Sequence, residues 1–207
     1  MPARNPYPPA AAFLPDKLSM TALRSAVQQC RGCPLHANAT QAVFGDGTLK
    51  AEVMLVGEQP GDQEDLAGAP FVGPAGKLLD RALDEAGIDR GTTYVTNAVK
   101  HFKWKARGTR RIHDKPSWTE TMACRPWLDA ELALVKPRAL VLLGATAAQS
   151  LLGKSFKVTQ NRGVPLDSDL AELVVATIHP SAVLRAENRE EMFAGLVDDL
   201  RVVARTS

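Results

Sequence analysis

Glu52-Val-Met-Leu-Val-Gly-Glu-Gln-Pro-Gly61 decides the fold. Glu52 to Val56 is a short apolar, β-prone run that Gly57 ends, and a carboxylate, an amide and a proline follow at once. Such a segment reads as a buried strand emptying into a polar turn. Working outward, Leu78, Leu79, Ala82, Leu83 and Ala86 recur at helical intervals and stop at Gly87. The alternation then repeats. Thr93 to Val99 is a second strand with the helix Thr119 to Val135 behind it, closed by Pro137. Ala139 to Leu143 is a fully apolar strand followed by the helix Ala145 to Leu152. Leu173 to Ile178 is a fourth strand, and Phe193, Leu196, Val197, Leu200 and Val203 mark a long last helix. Upstream, Leu18, Ala22, Leu23, Ala26 and Val27 predict an amphipathic helix within Asp16 to Gln29 that runs into Cys30. Strands separated by helices pair in parallel, and near-continuous apolar strands are covered on both faces. The expected fold class is α/β, a three-layer sandwich with a central, mainly parallel four-stranded sheet flanked by helices.

The 207 residues are 45% hydrophobic and 23% charged, the composition of a soluble globular domain. A chain of this size buries roughly 70% of its unfolded surface and needs no disulfides to stand. Its three cysteines are an odd count and no segment before Met20 reads as a secretory leader, which points to a reducing, cytoplasmic location. The longest apolar run, Ala139 to Ala148, falls well short of the ~20 residues of a spanning helix, so no membrane role is expected. Met1 to Pro15 carries five prolines and no period. It is expected to be a disordered arm ahead of a single domain over residues 16–207, taken as a monomer.

The formal charge of +2 hides an asymmetry. From Lys100 to Lys115 seven basic side chains meet one acid, Asp114, which leaves 18 basic against 22 acidic side chains elsewhere. Phe102 and Trp104 are interleaved with the cations. A basic, aromatic-studded loop on an otherwise acidic protein is the footprint of a phosphate-backbone or single-strand contact, with a solvated charged loop as the plainer reading.

Ligands of open α/β sheets bind beyond the carboxyl ends of the strands, here Gly57 to Gly61, Asn97 and the basic loop, Gly144, and His179-Pro-Ser181. No phosphate loop is present, because Gly76-Lys77 is followed by Leu78, and the dinucleotide fingerprint is absent too. Glu58, Gln59 and Asp62 in a glycine-rich turn suit proton chemistry or a closely packed polar ligand. His179 precedes a helix start at Pro180 and Ser181, where the positive end of the helix disfavours the protonated ring. It reads as a neutral hydrogen-bond donor, or else as a structural histidine. Cys30 and Cys33 with the distant Cys124 form a metal or cluster signal that needs a fourth ligand, His36 or His101, the bland alternative being three unlinked thiols. A thioredoxin-type pair is excluded, since this Cys-x-x-Cys does not follow a strand.

Taken in order, Gly57-Glu-Gln-Pro-Gly61, Gly68-Ala-Pro-Phe-Val-Gly73, Val95-Thr-Asn-Ala-Val-Lys100 and His179-Pro-Ser181 resemble the motifs of the uracil-DNA glycosylase superfamily over most of the chain from Cys30 onward. The cysteines are similar to those of its family-four branch, which carries an iron-sulfur (4Fe-4S) cluster. That branch has a cysteine directly after the Asn-x-Val-Lys strand, where this chain has His101. The resemblance therefore implies Cys30, Cys33, His101 and Cys124 as ligands of a structural cluster, with zinc as the alternative. The likeness is closer to the UdgX class, which has Gly-Glu-Gln-Pro-Gly and an inserted Arg-Arg-Ile-His loop, here Arg110-Arg-Ile-His113. That class is understood to remove uracil and to remain covalently attached to the resulting sugar through the loop histidine. Gly108-Thr109 stand where a lysine often precedes the two arginines, a change that bears on DNA contact more than on chemistry.

What the resemblance implies can be put residue by residue. Asn97 meets uracil O4 and N3–H, where cytosine presents the opposite pattern. Phe71 stacks on the extruded base and His179 donates to uracil O2, so that uracil leaves as an anion. Family-one glycosylases orient water with an aspartate at the position of Gln59, and an amide cannot take a proton. A neutral His113 in reach of C1′ would capture the sugar cation with its free nitrogen, while Glu58 accepts the proton from the other. Arg110 and Arg111 beside it would favour the neutral ring. Lys103, Lys105, Arg107, Arg110, Arg111 and Ser181 are expected to touch DNA, with Leu184 and Arg185 as wedge residues, or Leu184 as core. The expected function is excision of uracil from DNA, preferentially single-stranded, ending in an adduct through His113. Two alternatives stay open at this point: a turnover glycosylase that releases uracil and a free abasic site, and a non-catalytic iron-sulfur module that binds or senses nucleic acid.

Overall fold

The computed structural model describes residues 6–205. Its helices are α1 (Met20–Ala26), α2 (Asp62–Ala67), α3 (Pro74–Ala86), α4 (Trp118–Val135), α5 (Ala145–Leu152), α6 (Val158–Asn161), α7 (Pro180–Arg185) and α8 (Arg189–Ala204). Its strands are β1 (Asp46–Gly47), β2 (Val53–Gly57), β3 (Thr93–Asn97), β4 (Trp104–Arg107), β5 (Arg110–His113), β6 (Ala139–Leu143), β7 (Pro165–Leu166) and β8 (Leu173–Thr177).

The four expected strands are β2, β3, β6 and β8, all parallel, in the spatial order β3-β2-β6-β8. Every residue in them is buried, and successive side chains face opposite layers. Leu55, Val95, Val141 and Val175 pack on Leu79 and Leu83 of α3 and on Leu196 and Leu200 of α8. Met54, Tyr94, Leu140 and Val174 pack on Leu128 of α4 and on Ala147 and Ala148 of α5. The sheet is six-stranded rather than four-stranded, because β1 adds antiparallel to β3 and β7 antiparallel to β8. Each added strand has two residues, too few to leave a period in the sequence. Short edges of this kind offer little free backbone for another chain to pair with.

Three expectations are corrected. The stretch set aside as a disordered arm is partly built into the fold: Ala10–Phe13 form a 3-10 turn, and Ala10 is 2% exposed in one cluster with Leu23, Cys30, Cys33, Phe44, Cys124 and Trp127. Residues 1–5 lie outside the described ones. The first helix is shorter than its apolar period, because Ser19 caps it by accepting from the Ala22 N–H at 3.2 Å and Val27–Gln29 tighten into a 3-10 turn before Cys30. The basic loop is a β-hairpin, β4 against β5, with Trp104 opposite His113 and Gly108 turning the chain at φ +60°. Its alternation was masked by the charges on both faces.

Candidate active site

The carboxyl ends of all four parallel strands meet. Glu58 follows β2, Asn97 ends β3, Thr146 stands in the first turn of α5 just beyond β6, and His179 lies two residues past β8. Close backbone approach makes this possible. A Cβ on Gly57 would run into Asn97 Oδ1 and stand 2.7 Å from Phe71 Cζ, and one on Gly144, at φ +87°, would stand 2.9 Å from His179 Cβ. Phe71 itself sits at φ +56°, a conformation that costs a non-glycine residue roughly 1–2 kcal/mol and is held only where its surroundings demand it. Its ring lies 6.1 Å from that of His179, at 27° between planes. Phe71, Asn97 and His179 therefore lie close together beyond the strand ends, an aromatic ring, an amide and an imidazole.

Two details bear on what these groups could hold. Asn97 is 3% exposed, yet among the described residues no hydrogen bond engages its side-chain amide, whereas its backbone carbonyl accepts from Lys100 Nζ at 2.7 Å. No fully buried side-chain polar atom among the described residues lacks a partner, so the amide keeps the residue's remaining exposure and stays open to a ligand. His179 Nδ1 receives the Ser181 N–H at 3.1 Å and lies 2.8 Å from Ser181 Oγ. An N–H can only donate, so Nδ1 carries no proton and the neutral ring must hold its proton on Nε2. Burial, opposed by the Glu58 carboxylate and reinforced by His113 and Arg185, lowers the His179 pKa to about 4. The ring is the neutral donor expected, but burial rather than the helix end is the first cause.

Glu58 faces the other side of this site. Its Oε1 lies 3.2 Å from His113 Nε2, and Oε2 accepts from the Thr146 hydroxyl. Burial pushes the carboxyl upward, but the hydrogen bonds from His113 and Thr146, with the imidazoles of His113 and His179 close by, outweigh it and hold Glu58 below the usual carboxylate range. An ionised Glu58 only accepts, so in a neutral His113 ring that keeps this contact the proton sits on Nε2 and the Nδ1 lone pair is free. His113 is half exposed at the end of β5.

The hairpin that carries His113 is held by residues whose expected roles change. Gln59, expected among the catalytic groups, is 6% exposed and its amide is fully used. Nε2 donates to the Lys103 and Asp114 carbonyls at 3.1 and 3.0 Å, and Oε1 accepts from the Lys103 N–H at 2.9 Å, so it pins both feet of the hairpin and faces no reacting atom. Arg111 is not the free cation expected beside His113: Nε and Nη1 pair with Asp62 and with the fully buried Asp65, both at 2.6 Å. Its guanidinium also lies 5.5 Å from the Phe102 ring and 5.7 Å from that of Trp104. The two aromatics are thereby taken: Phe102 is 1% exposed, and the Trp104 indole donates to the Asn38 carbonyl. Phe102 is therefore not free to stack on a base.

Other cations of the segment are also committed. Lys100 is fully buried against Glu131, which in turn accepts from Tyr94, Thr96 and the Gly45 N–H. Lys103 pairs with Glu120 at 2.9 Å. Exposed positive charge remains on Lys105, paired with Asp114 at 3.0 Å, and on Arg107, Arg110 and Lys115. On α7, Arg185 is exposed, and Leu184 is half-buried in a groove with Leu78, Val183 and Phe193.

Cys30, Cys33 and Cys124 are all buried and share one cluster. The Trp127 indole N–H points at Cys30 Sγ from 3.2 Å and the Lys100 backbone N–H at Cys124 Sγ from 3.3 Å. Burial pushes the Cys33 thiol up and the Cys124 thiol up to about 12. His101 is 5% exposed, and burial, with His36 and Arg31 nearby, lowers its pKa to about 4. His36, the other candidate ligand, places Nδ1 2.6 Å from the Cys33 carbonyl oxygen. Among the described residues no three His, Cys, Asp or Glu side chains converge where a single metal ion could sit. The sequence reading missed Thr146, although Gly144 had marked that strand end, and it missed Asp65 and Glu131, which nothing in their sequence neighbourhood distinguishes from surface acids.

The family model described as the uracil DNA glycosylase superfamily matches residues 44–201. A type-4 uracil-DNA glycosylase of Thermotoga maritima is 40% identical over 165 residues, which cover 79% of this chain and 82% of that protein. One of Pyrobaculum aerophilum is 37% identical over 175 residues, 81% of this chain and 86% of that protein. A type-5 uracil-DNA glycosylase of the same organism is 32% identical over 121 residues, about half of each chain.

Proposed function

The chain belongs to the uracil DNA glycosylase superfamily, and from that membership we propose that it excises uracil from DNA and ends the reaction covalently bound to the sugar through His113. The observation that carries this reading is the contact between His113 Nε2 and Glu58 Oε1 at 3.2 Å, on a hairpin set over the strand ends. Uracil enters against Phe71, Asn97 supplies the partners for O4 and N3–H, and His179 Nε2–H donates to O2. As the C1′–N1 bond breaks, its electron pair leaves with the base, and these donors stabilise the anion. The Glu58 carboxylate stabilises the positive charge left on the sugar. The His113 Nδ1 lone pair then forms the bond to C1′, and the imidazolium passes its Nε2 proton to Glu58. A neutral glycosyl imidazole has a poor leaving group and persists. In this the chain behaves as the UdgX class does.

We read the preferred substrate as single-stranded. The support is not the aromatics of the hairpin, which hold Arg111, but Leu184, which is half-buried in a groove of α7 and leaves Arg185 as the exposed wedge candidate. Arg107 and Arg110 remain to meet phosphates. The three buried thiols fit a four-iron cluster held by Cys30, Cys33, Cys124 and His101. Two N–H groups already aim at their sulfurs, the kind of bond that cluster thiolates accept, and distributing ligands over several irons needs no convergence on one point, as zinc would. Such a cluster would supply a cross-link between the Cys30–Cys33 turn, the end of β3 and α4.

The test is a denaturing gel with intact mass of protein mixed with a uracil-containing single-stranded oligonucleotide. The expected band survives heat and detergent, has the mass of protein plus DNA minus uracil, and disappears in His113→Ala. Many equivalents of uracil released per protein, with no band, would establish the turnover reading instead, and neither uracil nor band would leave a binding or sensing module.

A further inference from the structure

We infer that Thr146 is a positioning residue for the reaction: its hydroxyl holds the Glu58 carboxylate so that Oε1 is presented to His113, and so steers the sugar cation to the imidazole instead of to water. The inference rests on the covalent reading of the same site.

The hydroxyl is placed for this alone. Thr146 is 5% exposed and occupies the first turn of α5, where its own helix provides no carbonyl four residues back for its hydroxyl to bond. It turns outward and donates to Glu58 Oε2. The turn before it depends on Gly144, at φ +87° and too close to His179 for a side chain, so the α5 start is fixed against the same site. A carboxylate has two oxygens and rotates about its last bond. With Oε2 tied to Thr146, Oε1 is directed at His113 Nε2, 3.2 Å away. Without that tie either oxygen can turn toward His113, toward His179 or toward a water in the half-exposed mouth, and a water activated by Glu58 competes for C1′.

The groups facing Glu58 are His113 from β5, His179 at the start of α7 with Arg185 beyond it, and Thr146 from α5. Of these Thr146 alone donates a hydrogen bond without bearing a titratable charge, so removing it changes orientation and leaves the charges of the site in place. Its donation also favours the ionised carboxyl, in the same sense as the lowered Glu58 pKa.

The experiment compares the wild-type protein with Thr146→Val, which keeps the shape and loses the hydroxyl, and Thr146→Ser, which keeps the hydroxyl. Single-turnover reactions on a uracil-containing single-stranded oligonucleotide are split into uracil released, adduct formed and free abasic DNA. Thr146→Val is expected to release uracil while the ratio of adduct to free abasic DNA falls on the order of tenfold, and Thr146→Ser to restore that ratio. An unchanged ratio in Thr146→Val, or a fall that Thr146→Ser shares, overturns the inference. Thr146→Ala reads the same way should valine not be accommodated. If the wild-type protein itself forms no adduct, the covalent reading fails, and the inference is judged on uracil release: Thr146→Val then moves the acid limb of the pH profile to higher pH, or the positioning role is refuted as well.

Discussion

Gln59→Glu is the most exposing single change, because it keeps the shape of a side chain whose donors hold the hairpin. The amide makes three hydrogen bonds to the feet of β4 and β5, two as donor to the Lys103 and Asp114 carbonyls and one as acceptor from the Lys103 N–H. A glutamate keeps the third and loses the first two. At 6% exposure it also sets an anion against two carbonyl oxygens, of which that of Lys103 keeps the Asp114 N–H as a partner at 2.9 Å. Each lost bond costs about 1 kcal/mol net, and the anion facing the carbonyls adds to it, so docking of the hairpin weakens by about 3 kcal/mol, roughly a hundredfold in its equilibrium. The central sheet does not depend on this contact, so the loss is local. Two assays follow it: tryptic cleavage in the hairpin, at the exposed Arg107 and Arg110, and the rate of adduct formation on a uracil-containing strand. Cleavage is expected to speed up and adduct formation to slow by one to two orders of magnitude, with a modest fall in Tm. Wild-type rates in both would refute the reasoning that an amide at this position exists to hold the hairpin.

Arg111→Lys keeps the charge but not the fork that meets Asp62 and Asp65 or the flat face between Phe102 and Trp104; with Asp65 fully buried, the cost is about 2–3 kcal/mol by chemical denaturation and adduct yield falls with it. Stability also carries a pH signature from His179: its folded pKa of about 4 lies below the ordinary 6.5, so its contribution is fully present above 6.5 and is lost as pH falls toward 4, by no more than about 3 kcal/mol. Denaturant midpoints across that window should flatten in His179→Asn, and equal slopes in the two proteins would refute the assignment. Cys124→Ser should bleach any broad absorbance near ~400 nm and lower the iron content, whereas a colourless wild-type protein with stoichiometric zinc would reverse the cofactor reading.

The parallel core was legible because buried strands and amphipathic helices leave periods that a single sequence displays: Ala139 to Leu143 can hardly be anything but a central strand. The resemblance singled out Phe71, Asn97 and His179, and the fold brings them close together beyond the strand ends. What escaped was set by partners far away in the chain. Lys100 and Arg111 look alike in a basic run, yet one is neutralised inside the fold by Glu131 and the other is clamped by Asp62 and Asp65, and no local pattern distinguishes an acid that will be buried from one that will be solvated. Phe102 and Trp104 were read as aromatics of a single-strand contact, and their partner within the fold is a cation seven to nine residues on, brought back by a hairpin turn at Gly108. Thr146 carries no sequence signal beyond its place after a strand, and only the contact with Glu58 gives it a role.

The position of Gln59 ties two properties together. A carboxylate there, as in the family-one pattern that the sequence resembles at a distance, could take a proton from water but could not donate to the Lys103 and Asp114 carbonyls. The amide can donate to both and takes no proton. On the proposed reading, the residue that removes the water-activating group is therefore the one that holds the nucleophile's hairpin over the site, and a single side chain shifts the sugar cation from water to His113 in two ways at once. Restoring turnover by mutation should accordingly need two changes, one that supplies a base and one that holds the hairpin without Gln59 or dispenses with it. Gln59→Glu alone offers the base while loosening the hairpin, so it is expected to lose the adduct faster than it gains free abasic product, and a variant that gained turnover with the hairpin still protected from trypsin would show the two properties to be separable.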